Sequence, residues 1–203
     1  MGRTKFPVNR RRQQLVQIAM DQIATEGFEG LRFQKVAQQA GINNATLFYY
    51  FPTKEALVQE VVTSLTNELK KPRHRSNNVP TSALEELHLE FADLRRLLRA
   101  QPKLFVVLIE LSLHGLRDPV IGTWQSARDG YWREHLSGII RRGIDQGTFR
   151  RNIDLEATVA ALMAQMTGIG YYATMGKGKR SEADRAISEL ARQVEHWLAC
   201  KTV

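Results

Sequence analysis

Cysteine is almost absent from this chain of 203 residues, which holds Cys200 alone. A single cysteine excludes a disulfide within the chain and a metal site built only of cysteines. No apolar run approaches the roughly 18 residues that a membrane-spanning helix needs, so we expect no membrane partner. The first residues carry positive charge without the apolar stretch of a secretory signal, and we therefore expect a cytoplasmic location.

The sequence also lacks the short motifs that mark common catalytic and cofactor sites. Its five histidines are scattered and form neither an H-x-x-x-H nor an H-E-x-x-H pattern. It contains no G-x-S-x-G motif, phosphate-binding loop or dinucleotide fingerprint. The basic glycine loop at residues 176–179 follows no strand pattern and is interpreted as a connection. We therefore expect no catalytic residue, no metal ion, no cofactor and no enzymatic activity.

Negative charge is scarce in the first quarter of the chain. Residues 1–54 contain eight basic and three acidic side chains, whereas the remainder contains the other 21 basic and 18 acidic ones. The formal net charge of +8 is thus concentrated near the N-terminus. A basic segment joined to a nearly balanced remainder is typical of a nucleic-acid-binding head, although a solvated surface would have the same composition.

Apolar residues recur at helical spacing along most of the chain, and no segment alternates as a strand does. The pattern predicts an all-α protein of nine helices. Three helices in residues 1–53 would form a head, and six in residues 54–203 a second domain. Thr53, Ser82, Asp154 and Ser181 stand where the N-caps of helices 4, 5, 8 and 9 are expected.

Residues 32–58, RFQKVAQQAGINNATLFYYFPTKEALV, are the most informative stretch. Apolar residues at i, i+3, i+4 and i+7 from Phe33 indicate a short helix that Gly41 can end. Leu47 and Phe51 then lie on one face of a second short helix. Two short helices joined by a tight glycine turn predict a helix-turn-helix, whose second helix enters the major groove of DNA.

The string AGINNATLFYYFPTKEAL in this stretch resembles the signature of the TetR/AcrR family of bacterial transcription regulators, and a looser resemblance covers the whole chain. The resemblance implies a homodimer that binds a near-palindromic double-stranded DNA operator, usually as a repressor. A small-molecule effector, here expected to be apolar or aromatic, would release it by favouring a spacing of the two heads unsuited to the half-sites.

The resemblance implies DNA contacts from the start of helix 2, from helix 3 and from the first residue of helix 4. Arg32 stands just before helix 2, where its guanidinium can reach a phosphate, whereas Phe33 is expected to be core. Phe48 stands where the family usually has tyrosine. The candidate DNA-binding residues are Arg32, Gln34, Asn43, Asn44, Ala45, Thr46, Phe48, Tyr49, Tyr50 and Lys54.

In the family, helices 4 to 8 surround the effector. The candidate lining is Phe91, Phe105, Ile109, Trp124, Tyr131, His135, Met163, Met166 and Tyr172, although such residues at helical spacing are more often ordinary core. Helix 8 has a stripe of small residues opposite a bulky one, which predicts burial on both sides. The predicted dimer interface is a four-helix bundle of helices 8 and 9, with Ala157, Ala161, Ala164, Gly168, Ile187, Leu190, Val194 and Leu198.

Two other interpretations remain open at this stage. The first is an enzyme built on the same helical scaffold, which a cluster of acid–base or metal-binding side chains would favour. The second is a DNA-architectural protein without an effector, which a closed and purely apolar core would favour.

Overall fold

The computed structural model describes residues 8–70, 80–176 and 178–199. The described residues contain nine α-helices, one short 3-10 helix at Phe28–Gly30 and no strand, so the predicted all-α class is confirmed. The helices are α1 Val8–Glu26, α2 Phe33–Gln39, α3 Asn44–Tyr50, α4 Lys54–Lys70, α5 Ala83–Ala100, α6 Pro102–Gly115, α7 Pro119–Asp145, α8 Leu155–Ala173 and α9 Lys179–Leu198.

The helices group into two compact units. The first comprises Met1–Lys71 and Val106–Gln125, and the second comprises Pro72–Phe105 and Ser126–Val203. Helix α4 and parts of α6 and α7 therefore group with α1 to α3. The predicted functional boundary after residue 53 lies inside the first unit and stays a prediction.

Three of the four predicted N-caps are confirmed. Thr53, Ser82 and Asp154 each accept a hydrogen bond from the backbone N–H three residues onward, at 3.1, 3.2 and 3.1 Å. The prediction for Ser181 is wrong, because α9 begins earlier, at Lys179. Gly178 precedes it in a left-handed conformation, with φ of 85°, and provides no side-chain cap.

In the first unit, α1 packs on α4 and on α2, and α2 packs on α3. The apolar faces of these helices close a small core, and its side chains without solvent exposure include Leu15, Ile23, Leu47, Phe51, Leu57 and Leu65. Because α2 and α3 have only seven residues each, their stability depends on this packing rather than on helix propensity.

In the second unit, α5, α8 and α9 pack on one another. Their buried side chains include Leu87, Phe91, Val159, Leu162, Met166, Ile187, Leu190, Val194 and Leu198. Two glycines allow aromatic rings to lie against helix backbones, because a Cβ on Gly170 would overlap the ring of Phe105 and a Cβ on Gly143 would overlap the ring of Phe149.

Two glycines of α7 offer a matched test of this packing. We expect Gly143→Ala to lower the free energy of unfolding by about 1–3 kcal/mol, because the new methyl group collides with Phe149. Gly130→Ala should instead raise it by about 1 kcal/mol, because a Cβ there meets nothing within 4 Å and alanine favours the helix. Urea unfolding of both variants measures the difference, and equal effects would contradict the packing described.

Candidate nucleic-acid interface

The turn between α2 and α3 is closed by backbone hydrogen bonds. Gly41 has φ of 65°, the left-handed conformation that glycine adopts without strain. The N–H of Gly41 donates to the carbonyl of Gln38, and the N–H of Ile42 donates to the carbonyl of Ala37, both at 3.0 Å. This pair of bonds is the Schellman motif, and it fixes where α2 ends and where the chain turns towards α3.

Asn43 caps the N-terminus of α3. Its side-chain oxygen accepts a hydrogen bond from the backbone N–H of Thr46 at 2.8 Å. Asn43, a candidate DNA contact, thus also has a structural role that sequence reasoning did not assign to it. The cap sets the first turn of the helix and its direction.

Helix α3 has one buried face and one exposed face. Leu47 and Phe51 have no solvent exposure and anchor the helix on the core, whereas Tyr49 is 75% exposed and Phe48 is 51% exposed. Among the remaining candidates, Asn43, Asn44 and Ala45 are exposed, and Thr46 and Tyr50 are half-buried. The candidate residues of α3 therefore form a surface that a DNA groove could meet.

Phe33 and Phe48 join the start of α2 to the exposed face of α3. Their ring centroids lie 5.0 Å apart. Phe33 is half-buried, so the prediction that it belongs to the core is only partly confirmed. The neighbouring Gln34 is exposed. Arg32 is exposed as well, and its guanidinium donates to the carbonyl of Glu29.

Gln22 of α1 is a buried polar residue, only 1% exposed, that sequence reasoning missed. Its side-chain oxygen accepts a hydrogen bond from the backbone N–H of Arg32 at 3.3 Å, and its nitrogen donates to Gln39 at 3.0 Å. Arg32 is the N-cap of α2 and makes no side-chain capping bond of its own. Gln22 therefore satisfies a donor that the start of α2 leaves open.

Arg11 and Arg12 of α1 form hydrogen bonds with the C-terminal ends of α2 and α3. Arg11 donates to the carbonyl of Ala40 at 3.1 Å, and Arg12 donates to the carbonyl of Tyr50 at 3.2 Å. Arg12 also donates to the Glu60 carboxylate at 2.9 Å. Both arginines thus have hydrogen-bond partners within the protein.

Lys54 begins α4 and is half-buried. Its ammonium group lies 5.5 Å from the ring centroid of Phe28. The His114 ring stacks on Phe28 with centroids 3.7 Å apart, and the Glu110 carboxylate accepts a hydrogen bond from the Phe28 backbone N–H at 3.0 Å. These α6 side chains hold the segment beside Lys54, and no pattern in the sequence indicates this role.

Two protein-family models match this chain. The model for bacterial regulatory proteins of the tetR family matches residues 15–61, which include the turn and α3. The model for the C-terminal part of BetI-type transcriptional repressors matches residues 83–199, more than half of the chain. The chain belongs to the TetR family. This TetR-family protein is therefore a DNA-binding transcriptional regulator, and the sequence-based prediction is confirmed at that level.

Curated relatives are regulators rather than enzymes. RutR of Escherichia coli K12 is 30% identical over 87 residues, 42% of this chain and 41% of RutR. The match thus spans about two fifths of the length of RutR. The repressor KstR2 of Mycolicibacterium smegmatis is 26% identical over 147 residues, 72% of this chain and 71% of KstR2.

Solved structures share the fold. A TetR transcriptional regulator from Chloroflexus aurantiacus has a TM-score of 0.83 at 15% identity, covering 95% of this chain and 98% of that one. A putative transcriptional regulator from Saccharomonospora viridis, solved with choline, has a TM-score of 0.74 at 22% identity, covering 95% of this chain and 100% of that one. Within the described residues, no helix is both long enough and apolar enough to cross a membrane.

The candidate effector residues divide between the two units. Ile109 and Trp124 belong to the first unit, where the indole N–H of Trp124 donates to the Thr66 hydroxyl at 2.5 Å. The other seven belong to the second unit, and their environments differ. Phe91, Phe105 and Met166 are buried, Met163, His135 and Tyr172 are half-buried, and Tyr131 is 61% exposed.

Polar partners distinguish two of these candidates. His135 forms a hydrogen bond with the Glu90 carboxylate at 2.9 Å. The Tyr172 hydroxyl donates to Glu182 at 2.5 Å and accepts from the Lys179 ammonium at 2.6 Å, which ties the end of α8 to the start of α9.

A separate shallow groove on α5, of about 420 Å³, is lined by Ala92, Arg95, Arg96, Arg99 and Ala100 and contains none of the candidate effector residues.

The two halves of the predicted dimer interface have different environments. On α8, Ala157, Ala164 and Gly168 are exposed and Ala161 is half-buried, so this stripe is available to a partner. On α9, by contrast, Ile187, Leu190, Val194 and Leu198 are at most 4% exposed. These four residues pack inside their own unit, and their assignment to the interface is therefore corrected.

The contact between His135 and Glu90 predicts a pH-dependent stability. The Glu90 hydrogen bond raises the pKa of His135 above its ordinary value of 6.5, helped by the charge of Glu86 and opposed by burial and by Arg142. Folding therefore tightens proton binding at His135. This contribution to stability is fully present below about pH 6.5 and is lost as the pH rises through the raised pKa.

We expect His135→Gln to flatten the fall in the free energy of unfolding above about pH 6.5, because glutamine does not titrate. Glu90→Gln should have the same effect, since it removes the hydrogen-bond acceptor that raises the pKa of His135. Urea unfolding between about pH 6 and 8.5 measures the slope. A wild-type slope in both variants would assign the pH dependence to another group.

Proposed function

We propose that this protein is a homodimeric repressor that inserts α3 of each subunit into one major-groove half-site of a near-palindromic operator. The observation that carries this proposal is the division of α3 into an anchored face, with Leu47 and Phe51 fully buried, and an exposed polar and aromatic face. A recognition helix needs both: a fixed position on its domain and free side chains for base edges and phosphates.

The exposed residue types suit DNA. The Asn44 amide can pair with an adenine edge, and the Ala45 and Thr46 methyl groups can meet a thymine methyl. The Lys54 ammonium can neutralise a phosphate at the edge of the groove. Arg32 and Gln34 stand at the start of α2, and Tyr49 and Tyr50 lie towards the end of α3, where phosphate contacts would fix the register.

We further propose that two subunits associate through the exposed small-residue face of α8. Side chains as small as Ala157, Ala161, Ala164 and Gly168 allow the backbones of two helices to approach closely, and a two-fold axis would bring each α8 against its copy. Tyr171, three residues after Gly168 on α8, continues this surface with 48% exposure, as expected of a large side chain that a partner covers.

The proposed effector is a small, apolar or aromatic molecule that the candidate effector residues would bind. It would release the operator by binding more tightly to the arrangement of heads that does not match the two half-sites. The choline-bound Saccharomonospora viridis regulator supports a small-molecule ligand for a protein of this fold. At 22% identity the likeness does not extend to the identity of the ligand.

Lys54→Ala tests the phosphate contact. The variant should weaken binding to all duplexes by a similar factor and lower the slope of log affinity against log salt by about one unit, because one counterion fewer is released. Lys103→Ala on α6, a lysine outside the proposed contact set, serves as the control and should keep the wild-type slope. A loss confined to one base position would mean that Lys54 reads a base.

Ala161→Leu tests the dimer. Overpacking a helix seam costs about 1–3 kcal/mol per site, and a two-fold axis repeats the clash in the partner, so the variant should shift towards monomer. Ala92→Leu adds the same side chain to the exposed face of α5 and should remain dimeric. Sedimentation at micromolar concentration distinguishes the outcomes, and a dimeric Ala161→Leu variant would place the interface elsewhere.

A further inference from the structure

The C-terminus of α3 lacks the usual means of ending a helix. Helix α2 ends in a left-handed glycine, but α3 ends at Phe51 in an extended conformation, with φ of −136° and ψ of 98°. The next residue is Pro52, which has no backbone N–H to donate. The carbonyl of Tyr50, at the last helical position, is one of the four that a helix end leaves without a partner inside the helix, so a side chain or water must provide its donor.

Arg12 supplies that donor and joins three groups at once. Its guanidinium donates to the Tyr50 carbonyl at 3.2 Å and to the Glu60 carboxylate of α4 at 2.9 Å, and it lies 4.6 Å from the ring centroid of Phe51. A planar guanidinium with several donors can serve an acceptor on either side while its face covers an aromatic ring. A cation is also favourable at the negative end of a helix.

The adjacent Arg11 does the same for α2. It donates to the carbonyl of Ala40, the C-cap of that helix, at 3.1 Å, and to the Gln14 side chain at 2.7 Å. Two consecutive arginines of α1 thus each bind the end of one helix of the helix-turn-helix. Their charges are engaged by the protein's own acceptors.

We propose that Arg12 is a positioning residue for sequence recognition and not a phosphate contact. By holding the end of α3 against α1 and α4, it would fix how deeply and at what angle α3 enters the groove. This inference depends on the proposal above that α3 reads DNA. It predicts that losing Arg12 reduces discrimination between DNA sequences, whereas losing a phosphate contact weakens all sequences equally.

The test uses the full chain and two DNA probes: a duplex that the wild-type protein selects from a random-sequence pool, and a scrambled duplex of the same length and composition. We expect Arg12→Met to weaken binding to the selected duplex by about tenfold or more. Binding to the scrambled duplex and the salt slope should stay near wild type. Arg12→Lys should recover part of the discrimination. Lysine keeps the positive charge, but it lacks the planar guanidinium that donates to Tyr50 and Glu60 together.

Lys54→Ala provides the reference behaviour of a phosphate contact. If Arg12→Met resembles it, with equal losses on both duplexes and a slope lower by about one unit, the positioning role is wrong. If the wild-type protein itself does not distinguish the two duplexes, the proposed reading of DNA by α3 fails, which is a different result.

Glu60→Gln gives a second test that does not alter Arg12 and decides the question if Arg12→Met does not fold in circular dichroism. If the Glu60 carboxylate merely held Arg12 back from a phosphate, its neutralisation would tighten binding to both duplexes and steepen the salt dependence. A positioning role predicts instead a loss of discrimination without tighter binding to the scrambled duplex. Tighter binding to both would overturn the inference.

Discussion

The burial of Leu47 and Phe51 in the core of the first unit is the contact on which the rest of the structure depends. A helix of seven residues is not stable alone in water, so α3 exists only because its apolar face is held by the core. Once these two side chains are buried, the 3.6-residue period of the helix places Tyr49 outward and leaves Phe48 half exposed. The surface that DNA would meet is therefore a consequence of core packing.

Polar side chains of α1 form hydrogen bonds that fix the positions of α2 and α3 more precisely than apolar packing alone. Apolar burial is non-directional and tolerates small rotations of a helix, whereas hydrogen bonds to helix ends do not. Gln22 satisfies the start of α2, and Arg11 and Arg12 satisfy the ends of α2 and α3. Since these bonds join residues far apart in sequence, they form only when the three helices have reached their final arrangement.

Most local features were predictable from the sequence, although the N-caps of α3 and α9 were not identified, whereas the long-range contacts were not predictable. The helix period, the glycine turn and the caps at Thr53, Ser82 and Asp154 depend on residues within a few positions of one another, and all were confirmed. The apolar stripe of α9 shows what periodicity does not reveal. Its spacing predicts that Ile187, Leu190, Val194 and Leu198 are buried, but not that they pack on helices of the same chain rather than on a partner subunit. The roles of Gln22, Arg12 and Glu110 depend on partners 10 to 82 residues away, which periodicity does not reveal.

Selection of duplexes from a random-sequence pool by the whole protein tests the central claim most directly. The account predicts enrichment of a near-palindrome whose two half-sites are centred about one helical turn apart, roughly 34–36 Å, or a multiple of it, because a two-fold dimer would present two copies of α3. Enrichment of a single unrepeated element, or no enrichment at low salt, would contradict the reading of DNA by a symmetric pair of α3 helices.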